Sequence, residues 1–476
     1  GKYIFEIPQD IIDYCNEQDF PLLTTPWEVH MADLIKDFSM RCLYSQREDN
    51  QISKLFQNVF TTPQVVEEVR QQLLGAFDVD GFFQVVLIGI EDSDQFDAIE
   101  RRRVSFQLEL CFEKIIKATY DYNTNIKWIV YCNKQAENVL KKYYPFAETI
   151  YIPYLDNQYK KAFWLEFLSK KDIAFQNIDC FWNPSGCNHF PGHWNVPVLT
   201  TFHDLGEYHI KNKYSFARTV FRKKICIPRS QKRSKAFTAV SEFTAKDMQH
   251  FLNIPLEHTS IIYNGNSPHY SPIVSEQNST LIAKWGLERK QYLFTPGRTD
   301  YIGKGLDILL KSFREIHVTN PTLKLALVGP KGEGHDSLMK ILSKDKYIAS
   351  HVLYLGRVDD DELISLYSNC LATVIPSRFE GFGFPILEAM MHNVPIICSN
   401  AGSLPEVAGD AALVFKSGNS SDLSNSINKM LKLDNSQIET LKARGKKQLQ
   451  KFTWEKCAQQ MLKALQSVCE KKSTIE

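Results

Sequence analysis

The segment from Thr373 to Cys398 constrains the fold more than any other part of the chain. Its apolar start at 371–375 predicts a buried strand, and residues 377–384 form a loop interrupted by glycine. Pro385 is predicted to be the first residue of a helix, where its missing N–H costs nothing. A strand, a loop and a helix in this order direct free backbone N–H groups and the positive end of the helix dipole at the loop. The segment therefore predicts an α/β fold with a site for a phosphate.

Two carboxylates flank this predicted phosphate site. Glu380 lies in the loop and Glu388 in the first turns of the helix, while Gly381 and Gly383 allow a ligand to approach the main chain. Carboxylates beside a phosphate site usually accept hydrogen bonds from sugar hydroxyls rather than hold the phosphate. The combination indicates a pocket for a nucleotide sugar. The alternative interpretation is that Glu380 is a solvated loop residue and Glu388 an ordinary charge on a helix surface.

The spacing of these carboxylates carries a family resemblance. Glu380 begins the sequence Glu-Gly-Phe-Gly, and seven residues separate it from Glu388. This pattern resembles the signature of the family 4 (group 1) retaining glycosyltransferases, which have the GT-B fold. The resemblance implies two Rossmann-like, doubly wound domains that face a cleft. It also implies transfer of a sugar from a nucleotide diphosphate to a hydroxyl acceptor with retention, in the synthesis of a surface polysaccharide or glycolipid.

The resemblance also assigns roles to individual residues. Glu380 would bind the sugar of the donor and Glu388 its ribose, and the donor would contact Gly381, Phe382 and Gly383. Further donor contacts are implied for the residues around the next strand ends: Gly297, Arg298, Lys304, Arg357 and Val358.

Two cations follow a strand that is predicted to begin the donor half of the chain. Arg298 and Lys304 lie on a loop that contains Gly297, where they can neutralise a departing nucleotide diphosphate without a metal ion. The family pattern places an Arg and a Lys here for that purpose. A structural salt bridge is the alternative role for either residue.

The middle of the chain alternates short apolar strands with helical or loop segments, which predicts a parallel, doubly wound sheet. The predicted strands lie at 125–132, 149–152, 179–182 and 197–202. Ligands bind at the carboxyl ends of such strands, so Asn183 and Ser185 are candidates for the acceptor side. The pair His203 and Asp204 resembles the His-Asp pair that many family members place beside the transferred sugar. Alternatively, His203 caps a strand and Asp204 caps the following turn.

The resemblance divides most of the chain into an acceptor domain at 117–275, a donor domain at 276–453 and a C-terminal helix at 454–476 that crosses back to the acceptor domain. The family's acceptor domain normally opens with a strand and a glycine-rich loop, and this sequence shows no such loop before Asn125. Residues 85–90 are a substitute for that strand, but the acidic residues 91–94 that follow would repel a diphosphate. This departure leaves open an inactive remnant of the family that still binds nucleotide.

Residues 1–116 are predicted to form a small α/β segment. Its motifs Glu-Ile-Pro-Gln-Asp-Ile-Ile-Asp-Tyr-Cys-Asn and Asp-Phe-Pro-Leu-Leu-Thr-Thr-Pro-Trp-Glu-Val resemble part of the N-terminal sensor domain of purine-catabolism-type transcription regulators. This resemblance favours a ligand-sensing regulatory protein as an alternative function. The absence of a segment that resembles a DNA-binding helix-turn-helix in the C-terminal region argues against that alternative.

A basic segment lies between Tyr208 and Ser241, with ten Lys or Arg residues and no acidic ones. Phe216 and Phe221 are interleaved with the charges, which include the acceptor-side candidates Lys223 and Lys224. Such a stripe favours contact with anionic lipid or with a phosphate-bearing lipid acceptor, because each basic residue near an anionic surface contributes about 1 kcal/mol. A solvated helix face is the alternative, and nucleic acid is a weaker third option.

Composition excludes several other classes of function. The chain has 476 residues, 43% of them hydrophobic, and a net charge of +1, so its bulk charge does not indicate nucleic acid. Its 11 cysteines lack the short paired spacing of zinc or redox motifs, which favours a reducing cytoplasm. Aspartate pairs at 78–80 and 92–94 resemble a metal-binding pattern, but they lie outside the donor segment. We therefore expect no metal ion or other cofactor, and a location in the cytoplasm or at the inner face of its membrane.

Overall fold

The structure is a computed structural model that describes residues 84–88, 127–134, 148–156, 158–170, 178–211, 213, 216–266 and 281–470. Two parallel β-sheets lie within these residues. The resemblance of residues 1–116 to a sensor domain falls outside the described residues, apart from 84–88. The aspartate pairs at 78–80 and 92–94 and the acidic loop at 91–94 also fall outside them.

Within the part of the chain that the structure describes, the first sheet has seven strands in the order β3-β2-β1-β4-β5-β6-β7, and each pair is parallel. Parallel sheets are covered on both faces, so their strands are apolar throughout. In β2, Trp128 and Val130 face one core cluster, and Ile129 and Tyr131 face another. The strands are β1 Gln84–Ile88, β2 Lys127–Cys132, β3 Glu148–Tyr151, β4 Cys180–Asn183, β5 Val198–Phe202, β6 Ala236–Ala239 and β7 Thr259–Ile261.

Strand β1 corrects one sequence expectation. Residues 84–88 pair with β2 on one side and β4 on the other, so they form a central strand of the first sheet. The sheet therefore begins before residue 117, where the sequence places the boundary of the acceptor domain. The run of β-branched and apolar residues in β1 suits a central position in a parallel sheet.

Short helices connect the strands of the first sheet. The helix Glu242–Leu252 shows how the sequence fixes their ends: the Ser241 side chain accepts a hydrogen bond from the Thr244 N–H at 3.0 Å, and the helix ends at Asn253 in the left-handed conformation. The helices are α1 Gln158–Phe163, continued by a π-helix at Trp164–Leu168, α2 Gly206–His209, α3 Phe216–Phe221, continued by a π-helix at Arg222–Cys226, α4 Ile227–Arg233 and α5 Glu242–Leu252. Single 3₁₀ turns lie at Pro153–Asp156 and Leu256–His258.

The second sheet has six strands in the order β10-β9-β8-β11-β12-β13, again all parallel. Strands β8 and β11 are neighbours at its centre, so the loops that follow them emerge side by side. The strands are β8 Tyr292–Pro296, β9 Lys324–Val328, β10 Val352–Gly356, β11 Ala372–Ile375, β12 Ile396–Ser399 and β13 Ala412–Phe415.

Helices alternate with these strands, as in a doubly wound domain. They are α6 Leu306–His317, α7 His335–Lys344, α8 Lys346–Ala349, α9 Asp360–Asn369, α10 Phe384–Met391, α11 Leu404–Ala408, α12 Ser420–Leu431 and α13 Asn435–Leu449. Helix α9 begins with a capping box, in which Asp359 accepts from the Glu362 N–H and Glu362 accepts from the Asp359 N–H. Helix α10 begins one residue earlier than predicted, with Pro385 in its first turn.

The last helix, α14 Trp454–Glu470, returns to the first sheet. Its Trp454, Ala458 and Leu465 lie in the same core cluster as Trp128 and Trp182. Burial of this apolar face explains why the end of the chain associates with its first sheet, because each buried large apolar side chain contributes about 1.5–3 kcal/mol. The packing agrees with the predicted crossing of the C-terminal helix. No helix among the described residues is long and apolar enough to cross a membrane.

Candidate active site

A pocket opens where the loops after β8 and β11 meet. Gly297, Arg298 and Lys304 contribute to it from the first loop, and Ser377 and Glu380 from the second. Pro385, in the first turn of α10, also lines the pocket. The structure therefore brings together three of the charged residues proposed from the sequence, at the carboxyl end of a parallel sheet and beside a helix N-terminus.

Lys304 and Glu380 form the electrostatic centre of this pocket. The Lys304 Nζ lies 2.5 Å from the Glu380 Oε1, and the Ser377 hydroxyl donates to the same oxygen at 2.7 Å. The Lys304 side chain is 25% exposed and that of Glu380 is 16% exposed, so the pair is in reach of solvent and of a ligand. Arg298 is exposed at the edge of the same pocket. A diphosphate entering here would meet two cations, and a sugar would meet one carboxylate.

The loop that carries Lys304 is held in place by two contacts. Gly305 precedes α6 with a φ of +67°, and a Cβ at this position would lie 2.0 Å from the Pro376 carbonyl oxygen. Arg378 makes two hydrogen bonds to the Asp307 carboxylate, at 2.6 and 2.7 Å. Because the two loops touch at a glycine and share a bidentate ion pair, the position of Lys304 relative to Glu380 is fixed by the scaffold.

Glu388 lies deeper along α10 and is not among the residues that line the pocket. Its Oε2 accepts a hydrogen bond from the hydroxyl of Tyr367, on α9, at 2.6 Å. Pro385, one helical turn before Glu388, does line the pocket. Glu388 therefore lies next to the pocket rather than in it, on the helix whose N-terminus faces the pocket.

The loop around Glu380 also contacts the first sheet's domain. The carbonyl oxygen of Gly381 accepts from the Ser241 hydroxyl at 2.8 Å, and a Cβ on Gly381 would lie 2.2 Å from the His203 carbonyl oxygen. The same Cβ would lie 2.8 Å from the Cβ of Asp204. The structure thus brings His203 and Asp204 beside the donor loop, and their predicted place beside the transferred sugar remains a prediction. The neighbouring residues Phe382 and Gly383 continue the loop into α10.

The pKa values of His203 and Asp204 both differ from those of exposed side chains. Burial lowers the pKa of His203, and its Nε2 lies 2.8 Å from the Pro184 carbonyl oxygen, which requires an N–H at that nitrogen. Burial alone would raise the pKa of Asp204, but the nearby Lys213 ammonium and Arg222 guanidinium lower it to about 2. Near neutral pH the pair is therefore a neutral imidazole beside a carboxylate.

The four acceptor-side candidates differ in their hydrogen bonds and in how accessible they are to a ligand. The Asn183 side chain is 2% exposed and donates to the Thr200 hydroxyl at 3.2 Å and to a backbone carbonyl at 3.4 Å. Ser185 accepts from the Asn188 amide at 3.1 Å. The Lys223 ammonium lies 4.1 Å from the Tyr208 ring centroid, and Lys224 is exposed. Of these four, Lys224 is the most accessible to a ligand, and Asn183 has a structural role.

The basic segment proves to be only partly a surface stripe. Arg222 makes two hydrogen bonds to Glu207, at 2.9 and 3.1 Å, and their side chains are 5% and 1% exposed. Arg233 and Arg229 both bind Glu166, and hydrogen bonding by Arg233 is the main cause that lowers the pKa of Glu166 to about 2. The acidic partners of these arginines lie outside the basic segment in sequence. The segment has no acidic residues of its own, so the folded chain supplies the partners from elsewhere in the acceptor half.

Arg357 and Val358 lie at the end of β10, at the edge of the sheet. Both are half-buried, and Val358 packs on the core of the donor half. The structure does not place them among the residues that line the pocket. Their predicted contact with a nucleobase remains a prediction.

Several contacts at the site were missed by reasoning from the sequence. The Glu406 carboxylate accepts from the backbone N–H groups of Glu242 at 2.7 Å and Phe243 at 3.2 Å, and so caps α5 from the other half of the chain. Ser377 and the pair Arg378–Asp307 were also missed. The only signal for them was their place next to the loops already singled out.

Within the described residues, no group of three or more His, Cys, Asp or Glu side chains is arranged to hold a metal ion. The expectation of a reaction without a metal remains a prediction.

Comparison with known proteins supports the reading of both halves of the chain. Residues 126–269 match the family described as glycosyltransferase family 4, and residues 277–448 match glycosyl transferases group 1. The O-antigen chain mannosyltransferase B of Escherichia coli is 31% identical over 59% of this chain and 72% of its own length. An uncharacterized glycosyltransferase of Methanocaldococcus jannaschii is 26% identical over 74% of this chain and 91% of its own length.

A solved structure matches the fold of this chain. The Anabaena protein HepE, crystallised with UDP and glucose, has a TM-score of 0.59 and 18% identity, and the match covers 80% of this chain and 99% of that one. This likeness confirms the predicted fold of two facing doubly wound domains.

Proposed function

Because this chain belongs to the group 1 glycosyltransferases, we propose that it moves a sugar from a nucleotide diphosphate donor to a hydroxyl of a glycan or lipid-linked acceptor, with retention at the anomeric carbon. The observation that carries the proposal is the convergence of Arg298, Lys304 and Glu380 on one pocket at the carboxyl end of the second sheet. The name of the mannosyltransferase relative supports a hexose as the donor sugar and an O-antigen-type glycan as the acceptor.

The main chemical task in this reaction is to stabilise the departing diphosphate. Lys304 and Arg298 supply positive charge at the pocket, and α10 directs its N-terminus towards it. Lys304 pairs with Glu380 in this pocket. Donor binding would exchange this pair for two new contacts: the ammonium would move to the diphosphate, and the Glu380 carboxylate would accept hydrogen bonds from the sugar. The pair therefore keeps both side chains near their working positions before the donor arrives.

The acceptor half of the cleft would complete the site. The His203 carbonyl oxygen and the Asp204 Cβ lie against Gly381, the residue after Glu380, so both residues are next to the place where Glu380 would hold the sugar. A neutral imidazole and a carboxylate can orient sugar hydroxyls without adding net positive charge. We propose no protein nucleophile, and we propose that the two cations replace a metal ion in neutralising the diphosphate.

A thermal-shift screen against UDP, GDP and their sugars tests the proposed function. A nucleotide that binds the folded state raises the melting temperature according to its concentration relative to its Kd. We expect at least one nucleotide to raise it and its sugar conjugate to support transfer to a glycan acceptor, with no loss of either effect in EDTA. Stabilisation without transfer would indicate the inactive remnant, and no stabilisation by any nucleotide would contradict the proposal.

We propose further that the acceptor half touches an anionic membrane. Phe163 is 52% exposed, Phe167 64% and Phe216 85%, and the rings of the first two lie 5.2 Å apart. Helices α1 and α3, which carry Phe163 and Phe216, pack on the same core cluster, and the nearby Lys160 and Lys224 are exposed. Exposed aromatic rings beside cations are the pattern of a surface that binds lipid headgroups.

Sedimentation with vesicles tests this membrane contact. Replacing all three phenylalanines with serine should reduce binding to vesicles that contain phosphatidylglycerol by about tenfold, because each buried ring contributes to the partition free energy. The matched control is Val318→Ser, which removes a side chain that is 73% exposed on the donor half and should leave binding unchanged. Equal binding by wild type and the triple variant would contradict the proposal.

A further inference from the structure

A buried tyrosine contacts one of the two signature carboxylates. The Tyr367 side chain on α9 is 0% exposed, and its hydroxyl donates to the Glu388 Oε2 at 2.6 Å. A phenol hydroxyl that is buried needs a hydrogen-bond partner, and a charged acceptor makes this a strong bond. The contact therefore joins the core of the donor half directly to the side chain of Glu388.

The ring of Tyr367 cannot move without disturbing the core. It meets the Phe294 ring edge-on at a centroid distance of 4.8 Å, and it stacks on the His392 ring at 5.2 Å and 16°. Phe294 belongs to the central strand β8, and His392 ends the helix α10 that carries Glu388. Burial lowers the pKa of His392 to about 4, so this stacking partner is neutral at physiological pH. The ring is therefore fixed between the sheet and the end of α10.

We infer that Tyr367 is a positioning residue for Glu388: it fixes the carboxylate in the orientation that receives the ribose hydroxyls of the donor. The inference rests on the proposed function, because it needs a nucleotide in the neighbouring pocket. A glutamate side chain on a helix surface has several rotamers, and ordering it at the moment of binding costs conformational entropy. A carboxylate has about four acceptor positions, of which the phenol takes one. The tyrosine thus orders the carboxylate before the donor binds.

The effect of Tyr367 should appear in recognition of ribose rather than in the chemical step. In Tyr367→Phe the ring and its packing remain, and only the hydroxyl that holds Glu388 is removed. The affinity for a ribonucleotide should fall, whereas the affinity for the corresponding deoxyribonucleotide should fall less, because part of the Glu388 contact is already absent there. A purely structural role of the hydroxyl would weaken both nucleotides equally.

The test uses the full chain and calorimetric titration with UDP and GDP, each compared with its 2′-deoxy and 3′-deoxy forms. We expect wild type to prefer the ribonucleotide over at least one deoxy form by about tenfold or more, as for a hydrogen bond to a charged group. Glu388→Ala should bring this ratio close to one, and Tyr367→Phe should reduce it to about threefold.

Tyr292→Phe is the matched control. Tyr292 is also 0% exposed, lies in the same core cluster, and donates its hydroxyl to the Leu366 carbonyl oxygen at 2.6 Å. The variant therefore loses an equally buried phenol hydroxyl and should keep the wild-type ratio. If Tyr367→Phe also kept that ratio while Glu388→Ala lost it, the inference would be wrong and the proposed function would stand. If wild type bound neither UDP nor GDP, the proposed function itself would fail.

Discussion

Lys304→Ala is expected to reduce sugar transfer by about a thousandfold while the fold remains intact. The side chain supplies a cation inside the pocket, 2.5 Å from Glu380, at the place where a departing diphosphate gathers negative charge. Alanine removes this charge from the transition state, and the second cation, Arg298, is exposed at the edge of the pocket. The loss should appear mainly in kcat, because the charge on the diphosphate increases as the bond to the sugar breaks.

The control for this variant is Lys311→Ala. Lys311 is an exposed lysine on α6, the helix that begins just after Lys304, so the substitution makes the same change in charge outside the pocket. It should retain wild-type transfer. The melting temperature of Lys304→Ala should stay within about 2 °C of wild type, since a partly exposed ion pair contributes little to stability. Normal turnover by Lys304→Ala would overturn the assignment of the pocket.

Gly381→Ala is expected to reduce transfer by about a hundredfold. The added Cβ would lie 2.2 Å from the His203 carbonyl oxygen and 2.8 Å from the Asp204 Cβ, and the clash with a backbone atom cannot be relieved by a rotamer change. The donor loop would have to withdraw from the acceptor half, and Glu380 would move with it. A displacement of about 1 Å between reacting groups is enough for a loss of this size.

Binding measurements separate this effect from general damage to the protein. Because the clash lies between the two halves, nucleotide affinity in the donor pocket should change far less than the rate of transfer. Gly445→Ala provides the matched control: it adds a methyl group inside α13, where the nearest atom would be a flexible Met390 side-chain carbon at 3.3 Å. That variant should transfer sugar normally. Full activity in Gly381→Ala would show that the two loops need not touch during the reaction.

The strands of both sheets were largely predictable because each is a short apolar run that must be buried on both faces. The order of the strands in the sheets was not predictable from these apolar runs. Residues 84–88 precede the predicted boundary of the acceptor domain, yet they pair between β2 and β4 at the centre of its sheet. Pairing between parallel strands depends on long crossovers, and the local pattern of a strand does not specify its neighbours.

The ion pairs of the basic segment were likewise not predictable from the sequence. The sequence revealed its lysines and arginines, but the buried partner Glu207 and the shared partner Glu166 become visible only in the folded chain. The run of charges is therefore not one surface, because three of its arginines form ion pairs within the acceptor half. Three exposed phenylalanines near it gave a better reason to propose a membrane contact.

The sequence by itself determined the class of the protein and the chemistry of its pocket. Two strand-loop-helix units, whose geometry is set by local sequence, carry these residues: Glu380 and Glu388 lie on one, and Arg298 and Lys304 lie on the other. Only the tertiary structure decided which of these groups touch: Lys304 pairs with Glu380, Gly381 meets His203, and Tyr367 holds Glu388. These contacts join residues far apart in the chain, and close packing of helices on a common sheet, rather than any local pattern, sets their distances.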